Sequence, residues 1–195
     1  MTEKKTDRRT LKTRKAIRDA FAELLMTKDL SKVTVQEIAD KADINRATFY
    51  KHYLDVYDLY DRTEQDILVE IGILVLRLEE QPSDKFFSSL IDYISENRAV
   101  FKMIFCPNGK GTLRTKFDKL MDGLFRQLIA EQADISLNDN RLRYQTYYRS
   151  QGCIAIISHW VMSDFAEPQD FIVSTVSELD DNTKKVIASK PEGKK

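Results

Sequence analysis

The sequence predicts an all-α chain made of a small three-helix unit followed by a larger helical part. Glycine (6) and proline (4) are scarce among 195 residues, while hydrophobic (42%) and charged (32%) residues are interleaved throughout. That is the composition of amphipathic helices. Apolar residues also recur at i, i+4 and i+7 in block after block, and no stretch alternates as a strand would; Lys32-Val33-Thr34-Val35 comes nearest. No apolar run approaches the roughly 18 residues of a membrane span, and the charged N-terminus lacks the apolar core of a secretion signal, so a cytoplasmic protein is expected.

Each element follows from local signals. Residues 1–9 and 189–195 are polar with few apolar anchors and are expected to be a flexible arm and tail. Ile17, Phe21 and Leu24, flanked by Ala16, Ala20 and Leu25, give one apolar stripe to a helix over about 10–27. After the loop Lys28–Lys32, Thr34-Val35-Gln36-Glu37 matches a capping box, in which threonine and glutamate side chains satisfy each other's backbone N–H groups. The short helix it opens buries Val35, Ile38, Ala39 and Ala42. Asp43-Ile44-Asn45 then connects to a third helix over 46–53, with Asn45 as N-cap. A connection this short sets two helices steeply across one another.

A long helix is predicted over 56–80, where Ile67, Ile71, Leu74 and Leu78 share a face and Pro82 provides the stop. Four more follow, over 83–105, 112–133, 139–165 and 168–187, punctuated by Pro107–Gly111, Ser136–Asn138 and Pro168. The domain division is therefore 10–55 and 56–188.

Charge is distributed unevenly along the chain. Residues 1–53 hold 13 Lys and Arg against 8 Asp and Glu, and the remainder holds 18 against 23, although the whole is neutral. A basic head on an acidic body suits a polyanion-binding unit joined to a second functional domain.

The third helix fits that task. Phe49 and Tyr53, spaced i, i+4, face the core and leave Arg46, Ala47, Thr48, Tyr50, Lys51 and His52 outward. Two short helices crossing on a preceding amphipathic helix form the helix-turn-helix arrangement, whose second helix enters the DNA major groove. Arg46 has the fork that matches a guanine edge, Ala47 and Thr48 suit a thymine methyl, and Tyr50 and Lys51 suit phosphates.

From about Thr10 to Leu59, and above all across VTVQEIADKADINRATFYKHYLDVYDL, the chain resembles the DNA-binding domain of the tetracycline-repressor (TetR) family of bacterial transcriptional regulators. The resemblance implies a phosphate contact at Thr34 and base readers at Gln36 and Arg46. It implies apolar or phosphate contacts at Ala47 and Thr48, and phosphate contacts at Tyr50, Lys51 and His52; Asn45 completes this surface. Two positions depart from the family pattern. Asp43 stands where glycine is usual, at a residue that needs φ > 0, which aspartate tolerates better than most. Val56 stands where a phosphate-binding lysine is usual, leaving that anchoring to the backbone N–H groups at the helix start.

Further on, the stretch from Tyr147 to Val161, followed by Pro168 and an amphipathic helix, is similar to the C-terminal domain of the TetR subgroup related to the dihydroxyacetone-kinase regulator. This implies a helical ligand-binding and dimerisation domain whose last two helices pair with their two-fold mates. Gly152 and Ala155 would allow close approach, Ile156 and His159 would accompany them, and Ile172, Val176 and Leu179 would supply the stripe of the final helix. Phe86, Phe101, Phe105, Met121, Phe125, Tyr147 and Tyr148 are the candidate lining of an effector cavity. The expected protein is a homodimeric repressor that binds a pseudo-palindromic double-stranded DNA operator and answers to a small-molecule effector. The alternative is a helical dimeric adaptor that binds a protein partner and no DNA.

Nothing points to catalysis, a cofactor or a metal. The chain's two histidines are His52 and His159, and Cys153 and His159, six apart, leave a helix on different sides. Cys106 and Cys153 have no metal or redox spacing, and Asn108–Thr112 lacks the spacing of a phosphate loop.

Overall fold

A computed structural model describes residues 3–76, 82–106, 113–133 and 136–188. Among them are nine α-helices and no strand: α1 (Glu3–Leu25), α2 (Val35–Lys41), α3 (Arg46–Tyr50), α4 (Val56–Leu76), α5 (Ser83–Glu96), α6 (Arg98–Phe105), α7 (Leu113–Ala133), α8 (Asn140–Met162) and α9 (Gln169–Ala188). They divide into two compact units, one of residues 1–67 with 97–111 and one of residues 68–96 with 112–195.

In the first unit Ile17, Phe21, Val33, Ile38, Phe49, Tyr53, Val56 and Leu59 form one buried cluster. Leu24, Leu25, Val35 and Ile44 pack against it half-buried, and α6 lies along α1. The expected second and third helices are in place, each opened by its expected cap. Between them Asp43 has φ 52°, and its successor Ile44 donates its N–H back to the Ala39 carbonyl at 3.0 Å. A left-handed residue is what lets α2 stop and the chain reverse within three residues.

The structure changes four expectations about the elements. Helix α1 begins at Glu3, so residues 3–9, expected as an arm ahead of the first helix, are helical. This run is rich in lysine and arginine, contains no glycine or proline, and propagates the helix that the core holds from Ile17 onward. Helix α3 ends at Tyr50, with residues 51–52 in a turn and Tyr53 N–H bonded to the Phe49 carbonyl at 3.0 Å. The Lys28–Lys32 loop contains a 3₁₀ turn, Leu30–Lys32. The single helix expected over 83–105 is two. Asn97 leaves the helical region (φ −119°, ψ 36°) and opens α6 through its carbonyl, and this break coincides with the division between the units. Leu78, Pro107–Gly111 and the tail 189–195 lie outside the described residues.

The second unit is built on α9, which packs against α5 and α8, and on α7, which packs against α8. Asp139 caps α8 by accepting the Leu142 N–H at 2.7 Å. At its far end Asp164 and Phe165 both have positive φ, 62° and 60°. The Phe165 N–H returns to the Trp160 carbonyl at 2.9 Å, and the two rings meet edge to face with centroids 4.8 Å apart. The Trp160 indole N–H donates to the Glu167 carbonyl at 2.8 Å, which fixes the approach to Pro168 and α9.

The turn at Asp43 gives a direct test. Asp43→Gly is expected to be neutral or mildly stabilising, whereas Asp43→Val, whose β-branch clashes at positive φ, should cost about 1–2 kcal/mol. Urea unfolding of the two variants against the parent checks the order.

Candidate nucleic-acid interface

The start of α2 is held by a reciprocal cap. Thr34 Oγ1 accepts the Glu37 N–H at 3.3 Å, and Glu37 Oε2 accepts the Thr34 N–H at 3.1 Å and its hydroxyl at 3.0 Å. The Lys28 ammonium closes the group by pairing with Glu37 Oε1. Lys28 first, and Thr34 after it, hold the Glu37 carboxyl below its ordinary value. Gln36 is exposed on the outer side, with its amide donating to Asp40 at 2.6 Å.

Helix α3 has five residues, too few to persist alone, and is fixed at both ends. Asn45 Oδ1 accepts the Ala47 N–H at 2.8 Å. At the other end Phe49 and Tyr53 are sealed in the core, and the Arg62 guanidinium stands 6.0 Å from the Tyr53 ring centroid. With that face buried, Asn45, Arg46, Ala47, Tyr50 and Lys51 are exposed and Thr48 and His52 half-buried. Tyr50 is 49% exposed, an expense of aromatic surface that core packing does not explain. Arg46 Nη2 lies 3.5 Å from its hydroxyl, so the two extend together. Desolvation, followed by the charges of Arg14 and Lys51, lowers the His52 pKa and favours the neutral imidazole in the free protein.

The start of α4 bears on one expectation. Val56 is core, as a residue with no phosphate-seeking charge should be. Two neighbouring backbone N–H groups, those of Leu54 and Asp58, are taken by carboxylates. Asp55 accepts the Asp58 N–H at 2.8 Å, and Asp58 accepts the Leu54 N–H at 2.9 Å and the Arg62 Nε–H at 2.8 Å. These carboxylates set negative charge beside the helix start, which disfavours a phosphate there.

The candidate cavity residues fall in both units. Phe86, Met121 and Phe125 are buried in the second unit, whereas Phe101 and Phe105 belong to α6 in the first. Tyr147 and Tyr148 face outward, 55% and 73% exposed, because α8 turns Leu142, Thr146, Arg149, Cys153, Ile157 and Trp160 inward.

Of the candidate dimer residues, Gly152, Ala155, His159 and Leu179 are exposed and Ile156 half-buried, but Ile172 and Val176 are sealed inside the unit. Helix α9 spends that side on packing against its own chain. The face left free is different: Tyr144, Tyr148, Gly152, Ala155, His159 and Met162 line one side of α8, and Phe171, Leu179 and Val186 one side of α9. A Cβ on Gly152 would meet no atom within 4 Å, so nothing in its own chain requires glycine there.

A family model for the N-terminal region of bacterial regulatory proteins of the tetR family matches residues 17–62, and one for a transcriptional regulator C-terminal region of that family matches residues 82–182. The chain belongs to the TetR family; it is a helix-turn-helix transcriptional regulator, a class of regulators rather than enzymes. One relative, an uncharacterized HTH-type transcriptional regulator, YxbF, of Bacillus subtilis, is 40% identical over 70 residues, which are 35% of this chain and 18% of that protein. The chain thus spans less than a fifth of that relative's length. A second, from Haemophilus influenzae, is 23% identical over 158 residues, covering 75% of this chain and 74% of the relative. Among solved structures, the dihydroxyacetone kinase operon activator DhaS shares the fold with a TM-score of 0.57 at 18% identity, covering 91% of this chain and 98% of that one. No helix among the described residues is long and apolar enough to cross a membrane.

The cap of α2 carries a pH signature. Glu37 binds its proton less readily folded than unfolded, so its stabilising contribution is present above the ordinary value near 4.5 and is lost as pH falls through the lowered one. Unfolding of the parent and of Glu37→Gln between pH 7 and pH 3 should show a shallower loss in the variant. Thr34→Ala should cost about 1 kcal/mol at neutral pH.

Proposed function

We propose that the chain is a dimeric repressor that places two α3 helices in successive major grooves of a pseudo-palindromic operator and is released by a small molecule bound in its second unit. The observation that carries the reading is the face of α3. Arg46, Tyr50 and Lys51 stand exposed on a helix whose position is set by Asn45, Phe49 and Tyr53. In this reading Arg46 and Gln36 read base edges, Ala47 and Thr48 meet thymine methyls or backbone, and Thr34, Asn45, Tyr50, Lys51 and His52 fix register on phosphates.

Two half-sites about 34 Å apart require two heads. The free apolar faces of α8 and α9 supply a self-complementary surface for a two-fold dimer. Helix α4 is one continuous helix with residues 56–67 in the first unit and 68–76 in the second, and gives a ligand bound in the second unit a direct route to the head.

Selection of bound fragments from genomic DNA at two salt concentrations tests the reading. A pseudo-palindrome whose affinity falls steeply with salt is expected. Arg46→Ala should cost about 1–3 kcal/mol and relax preference at one base position, whereas Lys51→Ala should weaken all sequences alike and lower the salt slope by about 1. Absence of any enriched site from ligand-free refolded protein would favour the adaptor. Light scattering tests the dimer separately. Tyr148→Glu, on the free face of α8, should yield a folded monomer, and an unchanged dimer would place the interface elsewhere.

A further inference from the structure

The positive charge of the head is concentrated at one end of α1. Residues 1–15 carry seven Lys and Arg against two Asp and Glu, whereas residues 16–53 carry six against six. The basic excess therefore belongs to the first turns of α1 and not to α2 or α3.

These cations are also set out differently from the rest. Further along the unit, cations stand in pairs with carboxylates: Lys15 with Asp19 at 2.9 Å, Lys41 with Glu23 at 2.7 Å and Arg62 with Asp58 at 2.8 Å. Arg8, Arg9 and Lys12 have no acid three or four positions away on either side; lysine, threonine, leucine, alanine and one another occupy those places. All three are exposed, and they lie within about 6 Å of helix rise, with Lys12 one turn from each arginine. Like charges at this spacing repel, which costs the isolated helix stability. The core gains nothing in exchange. Among residues 8–25, Ile17 is the first that is sealed, and residues 8–15 are exposed or half-buried.

The segment leaves the unit beside the outward face of α3. Arg14, half-buried, pairs with Asp66 at 3.6 Å. Tyr53 does most to raise the Arg14 pKa, and the charge of Arg14 acts in turn on His52, after desolvation and ahead of Lys51. Arg14 thus stands against the end of α3, and Lys12, Arg9 and Arg8 follow two to six positions further out on the same helix.

We propose that Arg8, Arg9 and Lys12 hold the phosphodiester backbone of duplex DNA beside the groove that α3 enters. The duplex presents one negative charge per about 1.7 Å of its axis, so three cations spaced this closely meet phosphates whatever the sequence. The contact adds grip and salt dependence but no base preference. Leu11 is the one apolar side chain among residues 8–15, too little apolar face for a lipid surface. The inference rests on the DNA-binding reading and gives it a contact that α3 does not make.

Binding of the full chain to a random duplex of about 40 base pairs, and to its selected operator, is followed by fluorescence anisotropy between about 50 and 200 mM NaCl. Arg8→Ala, Arg9→Ala and Lys12→Ala together should lower the salt slope on both duplexes by about 2–3 per head and leave base preference intact. Arg8→Lys with Arg9→Lys should keep the slope. Lys85→Ala, Lys119→Ala and Lys185→Ala together, which remove the same charge from exposed positions of the second unit, should change neither. Alanine relieves the repulsion in α1, so the α1 triple variant should unfold no more easily than the parent, which separates a lost contact from a lost fold.

A selected operator whose salt slope is unchanged in the α1 triple variant, or an equal fall in the second-unit variant, would overturn this inference alone. So would tighter binding to vesicles of about one-third phosphatidylserine than to either duplex. A chain that selects no operator but binds the random duplex through these three cations keeps the contact and loses the repressor. No binding to either duplex removes both readings.

Discussion

The burial of Phe49 and Tyr53, one helical turn apart, is the constraint on which the first unit depends. A five-residue helix has no stability of its own, so α3 exists where these rings are inserted between α1, α2 and the start of α4. Everything else at that end adjusts to the insertion. Asp43 takes a left-handed conformation to bring Asn45 to its capping position, and Asn45 sets the first turn, whose remaining side chains then have nowhere to go but outward. Fully sealing two aromatic rings contributes several kcal/mol, enough to offset a left-handed non-glycine residue and an exposed Tyr50. The outward face is a consequence of the inward one, not a separate design.

The second unit meets a different problem. It buries an arginine and an aspartate, which lose hydration on folding and recover it only through each other. The Arg149–Asp180 pair satisfies that condition with two bonds, an aromatic face and a second cation from Lys184. Such an arrangement adds little stability over an apolar core. It does fix the rotation and register of α8 against α9, because one half-turn of slip would leave both charges unpaired. The same register decides which side of each helix stays free: with Ile172 and Val176 inside, Leu179, Phe171 and Val186 remain outside. The free apolar strip is set by an ion pair on the opposite side of the helices.

The first unit was legible in the sequence because its determinants are local. The Thr34–Glu37 box spans four residues, the Asn45 cap three, and Phe49 and Tyr53 four apart declare a face. Where the signal was not local, the reading failed. Phe171, Ile172, Val176 and Leu179 are all apolar on one helix, and only knowledge of where α5 and α8 lie separates the packed side from the free one. Tyr147 and Tyr148 resemble core aromatics until α8 is seen to direct Thr146 and Arg149 inward instead. The ion pair joins residues 31 apart; an arginine spaced three and four residues from Thr146 and Cys153, in phase with the apolar stripe, was the one available hint. Asn97 likewise gave no sign that a continuous apolar pattern would divide between two units.

Charge shows how the proposed DNA contact must work. The basic excess of residues 1–53 is largely cancelled by residues 54–67, which carry Asp55, Asp58, Asp61, Glu64 and Asp66 against Arg62 alone. With residues 97–111, which bring Arg98, Lys102 and Lys110, the first unit holds 17 Lys and Arg against 13 Asp and Glu. Several of these cations are committed to partners: Arg14 and Arg18 to Asp66, Lys28 to Glu37, Lys41 to Glu23 and Arg62 to Asp58. A unit charged so modestly has no strong diffuse field with which to hold DNA. Its affinity would come from a few directed contacts on α3, the start of α2 and the first turns of α1, each small, and would become useful when two heads bind at once. The carboxylates of Asp55 and Asp58 beside the start of α4 would add repulsion to a phosphate there and weaken one head further. In the proposed dimer, specific binding would then depend on the spacing of the pair, the variable that a ligand acting through α4 would change.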